Sequence, residues 1–129
     1  MAGEPILVVD DNPGNLKLAS FLLTSQGYEV RGASSAEAAI ELLRTFMPRL
    51  ILMDLQLPGV DGFELTRRLK ADPRTRGVRV IAVTAFAMKG DERRALDAGC
   101  DGYLTKPIDT RTLPGVVAAH LAMPQADAP

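Results

Sequence analysis

The sequence holds a single cysteine, Cys100, so no internal disulfide can staple the fold. A chain without a disulfide framework suits a reducing compartment, and a cytoplasmic setting is expected. Charge of one sign is also missing: 15 basic and 16 acidic residues leave a net charge of −1. Such a balance gives no general electrostatic attraction to nucleic acid or to an anionic membrane. No apolar run reaches the ~18 residues that a membrane-crossing helix needs. The opening residues Met1-Ala2-Gly3-Glu4-Pro5 lack the basic stretch and apolar core of a secretory signal. What is there is enough for a core: 47% of residues are hydrophobic and 24% charged, which is not the composition of a disordered chain. At 129 residues, one domain is the default.

Short apolar runs alternate with amphipathic ones. Ile6-Leu7-Val8-Val9, Leu50-Ile51-Leu52-Met53, Val80-Ile81-Ala82-Val83 and Gly102-Tyr103-Leu104-Thr105 read as strands buried on both faces. Tyr28-Glu29-Val30-Arg31 alternates and suits an edge. Helical spacing follows each run. The first helix carries Leu16, Ala19, Leu22 and Leu23 and stops near Gly27. The second opens at Ser35 and runs through Leu43 until Pro48 forbids continuation. The third lies between Gly62 and Asp72, and the fourth covers about Asp91 to Ala98, closed by Gly99. The last carries Leu113, Val117 and Leu121, with Pro114 in its first turn. Five strand–helix units in succession predict an α/β fold, a doubly wound parallel sheet with helices on both faces.

In such sheets, ligands bind outside the carboxyl ends of the strands. Those ends carry Asp10 and Asp11, Asp54, Thr84 and Lys106. Any one of the aspartates alone would more often cap the following helix. Three carboxylates converging on one edge need a cation, and Lys106 supplies only one charge. An all-oxygen donor set with no histidine or cysteine suits a hard divalent ion, Mg²⁺ or Mn²⁺ in its place, and argues against zinc. An ion of that kind, a lysine and a hydroxyl together suit a phosphoryl group, and a carboxylate in such a site can be its nucleophile. Asp54, alone at the end of the middle strand in chain order, is the best candidate.

The constellation resembles the response-regulator receiver domain of two-component signalling. The motifs are Val9-Asp10-Asp11, Met53-Asp54-Leu55-Gln56-Leu57-Pro58-Gly59, Val83-Thr84-Ala85 and Thr105-Lys106-Pro107. The stretch Thr84 to Glu92 is similar to single-domain, DivK-like receivers. The resemblance implies the strand order 2-1-3-4-5. It implies Asp54 as phosphoacceptor, Asp10 and Asp11 as Mg²⁺ holders (Asp11 the more direct), and the Gln56 carbonyl as a further metal ligand. Lys106 would pair with the phosphoryl oxygens. Thr84 would move to bond the new group and Tyr103 would turn inward as the switch aromatic. The Lys106–Pro107 bond is expected to be cis. The donor would be a phosphohistidine on a histidine kinase or phosphotransfer protein, and the output a protein contact, with no direct nucleic acid or membrane partner. The chain would promote only its own phosphorylation and dephosphorylation, so it is not an enzyme in the usual sense. Gln56 and Phe86 stand where the family tunes hydrolysis, and bulky Phe86 predicts a long-lived aspartyl-phosphate.

The receiver pattern takes residues 1–123, leaving 124–129 as a disordered tail and no room for an output domain. A Mg²⁺-dependent phosphatase using an aspartyl-phosphate is the rival class. That class needs a second aspartate two residues after the nucleophile, whereas Asn12 follows Asp10 and Gln56 follows Asp54. A receiver module excised from a hybrid histidine kinase also matches. Among the remaining residues, Cys100 reads as a small buried apolar side chain, and His120 as a packed or solvent-facing one. The basic run Arg67, Arg68, Lys70, Arg74, Arg76 and Arg79 reads as a solvated face, and Asp61 as a cap of the third helix.

Overall fold

A computed structural model describes residues 3–57, 59, 62–85 and 90–122, leaving aside the side chain of Asp91. The expected Asp61 cap, Phe86 and the tail 124–129 lie outside these residues. The elements are β1 Pro5–Val9, α1 Pro13–Ser25, β2 Glu29–Ala33, α2 Ala36–Leu42, β3 Leu50–Asp54, α3 Gly62–Ala71, β4 Arg79–Thr84, α4 Asp91–Ala98, β5 Gly102–Thr105 and α5 Leu113–Ala122. The strands form one parallel sheet in the order β2-β1-β3-β4-β5.

Side-chain alternation along the three central strands splits the core in two. Leu7, Val9, Ile51, Met53, Val80 and Ala82 face α2, α3 and α4, where they meet Ala39, Leu65, Leu69 and Ala95. Ile6, Val8, Leu50, Leu52, Ile81 and Val83 face α1 and α5, where they meet Ala19, Leu23, Leu113 and Val117. Central strands covered on both sides must be apolar at every position, which is why β1, β3 and β4 read as unbroken hydrophobic runs. The expectation of full burial fails for β5, whose residues are half-buried or exposed. It pairs only with β4, so it is the second edge of the sheet.

Local chemistry sets the helix ends. The Asn12 side chain accepts from the Asn15 amide at 3.1 Å and Pro13 opens α1, so neither Asp10 nor Asp11 caps it. The Ser35 hydroxyl accepts from the Ala38 amide at 3.1 Å at the start of α2. That helix stops at Leu42, well short of Pro48, because the Arg44 and Thr45 amides turn back to Glu41 and Leu42 in tighter bonds. Gly99 closes α4 at φ 109°, a left-handed conformation that disfavours any side chain.

Candidate functional site

Parallel register brings the acidic strand ends together. Val9 pairs with Met53, so the residues that follow them, Asp10 and Asp54, stand side by side. Thr84 pairs with Thr105, and the Lys106 amide donates to the Thr84 carbonyl at 2.7 Å, fixing Lys106 beside them. Asp10 is 4% exposed and Asp54 2% exposed, whereas Asp11 lies open to solvent. One carboxylate oxygen from each of the three lies within 4.8 Å of the others.

Asp10 and Asp54 use their oxygens alike. Oδ1 of Asp10 accepts the Asn12 amide at 2.9 Å, and Oδ1 of Asp54 accepts the Gln56 amide at 3.0 Å. Each bond ties a carboxylate to the loop two residues on and so fixes its direction. Both Oδ2 atoms turn to Lys106, whose Nζ lies 3.0 Å from Asp10 and 3.4 Å from Asp54. Beneath them Val8, Leu52, Val83 and Ile108 line a void of about 10 Å³, so the carboxylates stand on an apolar floor. The backbone behind Asp54 is equally crowded: a Cβ at Gly62 would run into the Asp54 carbonyl oxygen, so α3 can begin here only on glycine.

The electrostatics follow from this burial. Asp54 is held above the ordinary carboxylate range, first by burial and then by the Asp10 charge, against the opposing pull of the Gln56 amide and Lys106. Burial works against the Lys106 charge, but the bond to Asp10 and the charges of Asp54 and Asp10 outweigh it, and its pKa is raised. Three carboxylates against one ammonium leave the site short of positive charge. An exposed acidic side chain above two buried ones, with oxygen donors only, fits a hard divalent cation that keeps part of its water shell.

Thr84 ends β4 next to this cluster and is 2% exposed. Tyr103 lies on β5, apart from the charges; its ring packs against the α2–α4 side of the core and its hydroxyl is withdrawn from solvent. The Lys106–Pro107 bond is cis, as expected.

A model of the response regulator receiver domain matches residues 6–118. The chain belongs to this receiver family. It is 45% identical over 118 residues to the polar-differentiation response regulator DivK of Brucella ovis, spanning 92% of this chain and 96% of that protein. Among solved structures, it resembles the receiver domain of a sensor histidine kinase from Pseudomonas aeruginosa, with 35% identity and a TM-score of 0.85 over 95% of this chain and all of that one. That structure holds a magnesium ion in its active-site cleft. A CheY-like receiver protein from Methanospirillum hungatei aligns with a TM-score of 0.85 at 30% identity, covering 93% and 94% of the two chains. Receiver domains are signalling switches of two-component systems, and this DivK-like receiver shares their fold and their acidic pocket. Among the described residues no helix is long and apolar enough to cross a membrane.

Two features of the receiver were not visible beforehand. Lys70 and Arg79, read as part of a solvated basic face, close on Asp101 at 3.0 Å and 3.7 Å. The three residues are far apart in the chain, and no local pattern announces their meeting. His120 also has a definite place, since a Cβ at Gly102 would come within 2.8 Å of its Nε2. Cys100 is buried as expected, and burial pushes its thiol up to about 11, which makes it inert.

Proposed function

We propose that this receiver takes a phosphoryl group onto Asp54 from a phosphohistidine of a histidine kinase or phosphotransfer protein. The observation that carries the reading is the geometry of Asp54 itself: 2% exposed, aimed by the Gln56 amide, and paired with Lys106 at 3.4 Å. A carboxylate oxygen of Asp54 attacks phosphorus, the P–O bond forms, and the P–N bond breaks with its electron pair left on the imidazole nitrogen. Burial, which raises the Asp54 pKa, leaves the ionised carboxylate more basic and so a better nucleophile. Lys106 stands where it can pair with the phosphoryl oxygens as charge builds on them. Asp10, Asp11, Asp54 and the Gln56 carbonyl are the groups that would hold Mg²⁺, which when bound neutralises phosphoryl charge. Lys106 and the fixed loop amides orient the acceptor; the exposed Asp11 side marks the face open to the donor.

Phosphorylation adds roughly −1.5 to −2 charge at neutral pH. Thr84 and Tyr103 form the switch in this reading, passing the change from the pocket to the surface around α4 and β5, where a cytoplasmic protein target reads it. Residues 1–123 make up the switch. The absence of a second aspartate two residues after Asp54 favours this reading over a phosphatase.

The test is labelling of the purified chain by a small-molecule phosphodonor with Mg²⁺. Stoichiometric, base-labile labelling is expected in the wild type and none in Asp54→Ala. Labelling that persists in the variant removes Asp54 from the acceptor role, and sustained multiple turnover of a generic phosphate ester assigns the chain to the phosphatases.

A further inference from the structure

The charge of this chain is unevenly distributed. Residues 64–79 hold six of the 15 lysines and arginines and two of the 16 acidic residues, a net +4, which leaves −5 on the rest. The structure divides these cations into two sets. Lys70 and Arg79 turn inward to Asp101. Arg67, Arg68, Arg74 and Arg76 stay at the surface, on the second half of α3 and in the loop that follows. Arg67 and Arg68 share one carboxylate, Glu64, at 3.6 Å and 3.1 Å, so one guanidinium charge of that trio is uncompensated. The Arg74 guanidinium meets a neutral partner, the Leu43 carbonyl at 2.9 Å, and keeps its full charge.

Between α2 and α3, under Arg68 and Arg74, lies a groove of about 190 Å³. Its floor is apolar: Leu43, Leu65 and Leu69 are buried, and Ile40 stands on the lip at 39% exposure. Small-molecule sites usually enclose about 300–1,000 Å³. The groove is therefore the size of one large side chain rather than of a metabolite. An apolar seat rimmed by guanidiniums selects for a hydrophobic anchor flanked by carboxylates, which arginine binds in bidentate fashion. The seat has room for one side chain rather than a base pair, and no aromatic ring lines it for base stacking. Both facts set a protein segment ahead of a nucleic acid.

We infer that the α2–α3 groove is a docking site for an acidic segment of a partner protein, seating one Leu- or Phe-sized side chain over Ile40, Leu43 and Leu69 with carboxylates on Arg68 and Arg74. The site is independent of the phosphoryl chemistry. Leu65, Arg68 and Leu69 lie three to seven residues along α3 from Gly62, about 4.5–10 Å of helix axis beyond the end that meets Asp54.

The probe is a fluorescent peptide with one phenylalanine flanked on both sides by glutamates. It is titrated into the full chain and followed by anisotropy and by amide shifts of ¹⁵N-labelled protein. Saturable binding is expected, with shifts centred on Ile40, Leu43, Leu69 and Arg74. Replacing the peptide's phenylalanine by serine, or making Arg68→Glu with Arg74→Glu, should each weaken binding about tenfold or more. Arg67→Glu with Arg68→Glu serves if loss of the Arg74–Leu43 bond loosens α2, since the ion pairs of both side chains run to Glu64 within α3. The inference is overturned by no saturable binding, by shifts centred elsewhere, or by unchanged affinity in the variants. It is equally overturned by an oligonucleotide of matched charge binding as well at the same residues, or by self-association of the chain through this groove.

Discussion

At the carboxyl ends of the strands one ammonium, Lys106, faces Asp10 and Asp54, with Asp11 alongside. At the opposite ends two cations, Lys70 and Arg79, face the single carboxylate of Asp101. The second cluster is saturated. Oδ2 of Asp101 accepts the Val80 amide at 2.9 Å and Lys70 Nζ at 3.0 Å, and Nζ also donates to the Val78 carbonyl at 2.7 Å and the Arg76 carbonyl at 3.3 Å. Every strong group there has a partner, and the cluster pins the entries of β4 and β5 together. In the first cluster the carboxylates outnumber the cation, a deficit that the proposed divalent ion would meet. Similar residues do structural work where charge is satisfied and carry chemistry where it is left short.

The comparison breaks first on stability. Asp101→Ala strands two cations and a buried backbone amide. It should lower unfolding free energy by about 2–3 kcal/mol, the single-residue penalty discounted for partial exposure. Urea denaturation measures it, and an unmoved midpoint would deny the cluster its structural role.

The deficit at the other pole should appear as metal-dependent stability. With Mg²⁺ at tenfold excess over its dissociation constant, mass action predicts a gain of about 1.4 kcal/mol. Asp11→Asn should erase most of that gain and shift metal-free stability by no more than about 0.5 kcal/mol, because Asp11 is exposed. Denaturation with Mg²⁺ and with chelator separates the two effects. A gain that survives Asp11→Asn would place the ion elsewhere.

The two poles also differ in how far the sequence announces them. Asp54 and Thr84 end their strands, Asp10, Asp11 and Lys106 come within two residues after theirs, and a parallel sheet necessarily collects strand ends along one edge. Position in the chain was therefore enough to bring them together. The core was legible for the same reason: β1, β3 and β4 are covered on both faces and must be apolar throughout. Lys70, Arg79 and Asp101 come from a helix end, a strand start and a turn, and only three-dimensional packing unites them. The half-exposed state of β5 was hidden because an edge strand and a central strand of four residues carry the same short run. The early end of α2 was hidden because a tight last turn leaves no marker comparable to Pro48.

The smallest effect has the opposite sign to the first. Asp54 sits on an apolar floor beside another carboxylate, and its pKa is raised by that burial and by the Asp10 charge. A carboxyl whose folded pKa lies above its unfolded value favours folding while protonated, and that contribution is lost as pH rises through the folded pKa. Ionised Asp54 is therefore a burden on the metal-free fold at neutral pH. Asp54→Asn removes the charge, keeps the shape and leaves Lys106 its closer partner Asp10. It should raise unfolding free energy by about 1 kcal/mol at neutral pH in the presence of chelator. The advantage should shrink as pH falls through the raised Asp54 pKa and vanish below the ordinary carboxylate range, where the wild-type group is protonated in both states. Urea midpoints of the two proteins across that range test it. A variant that is less stable at neutral pH would mean that Lys106 fully compensates the Asp54 charge, and that no deficit distinguishes this pole from the one at Asp101.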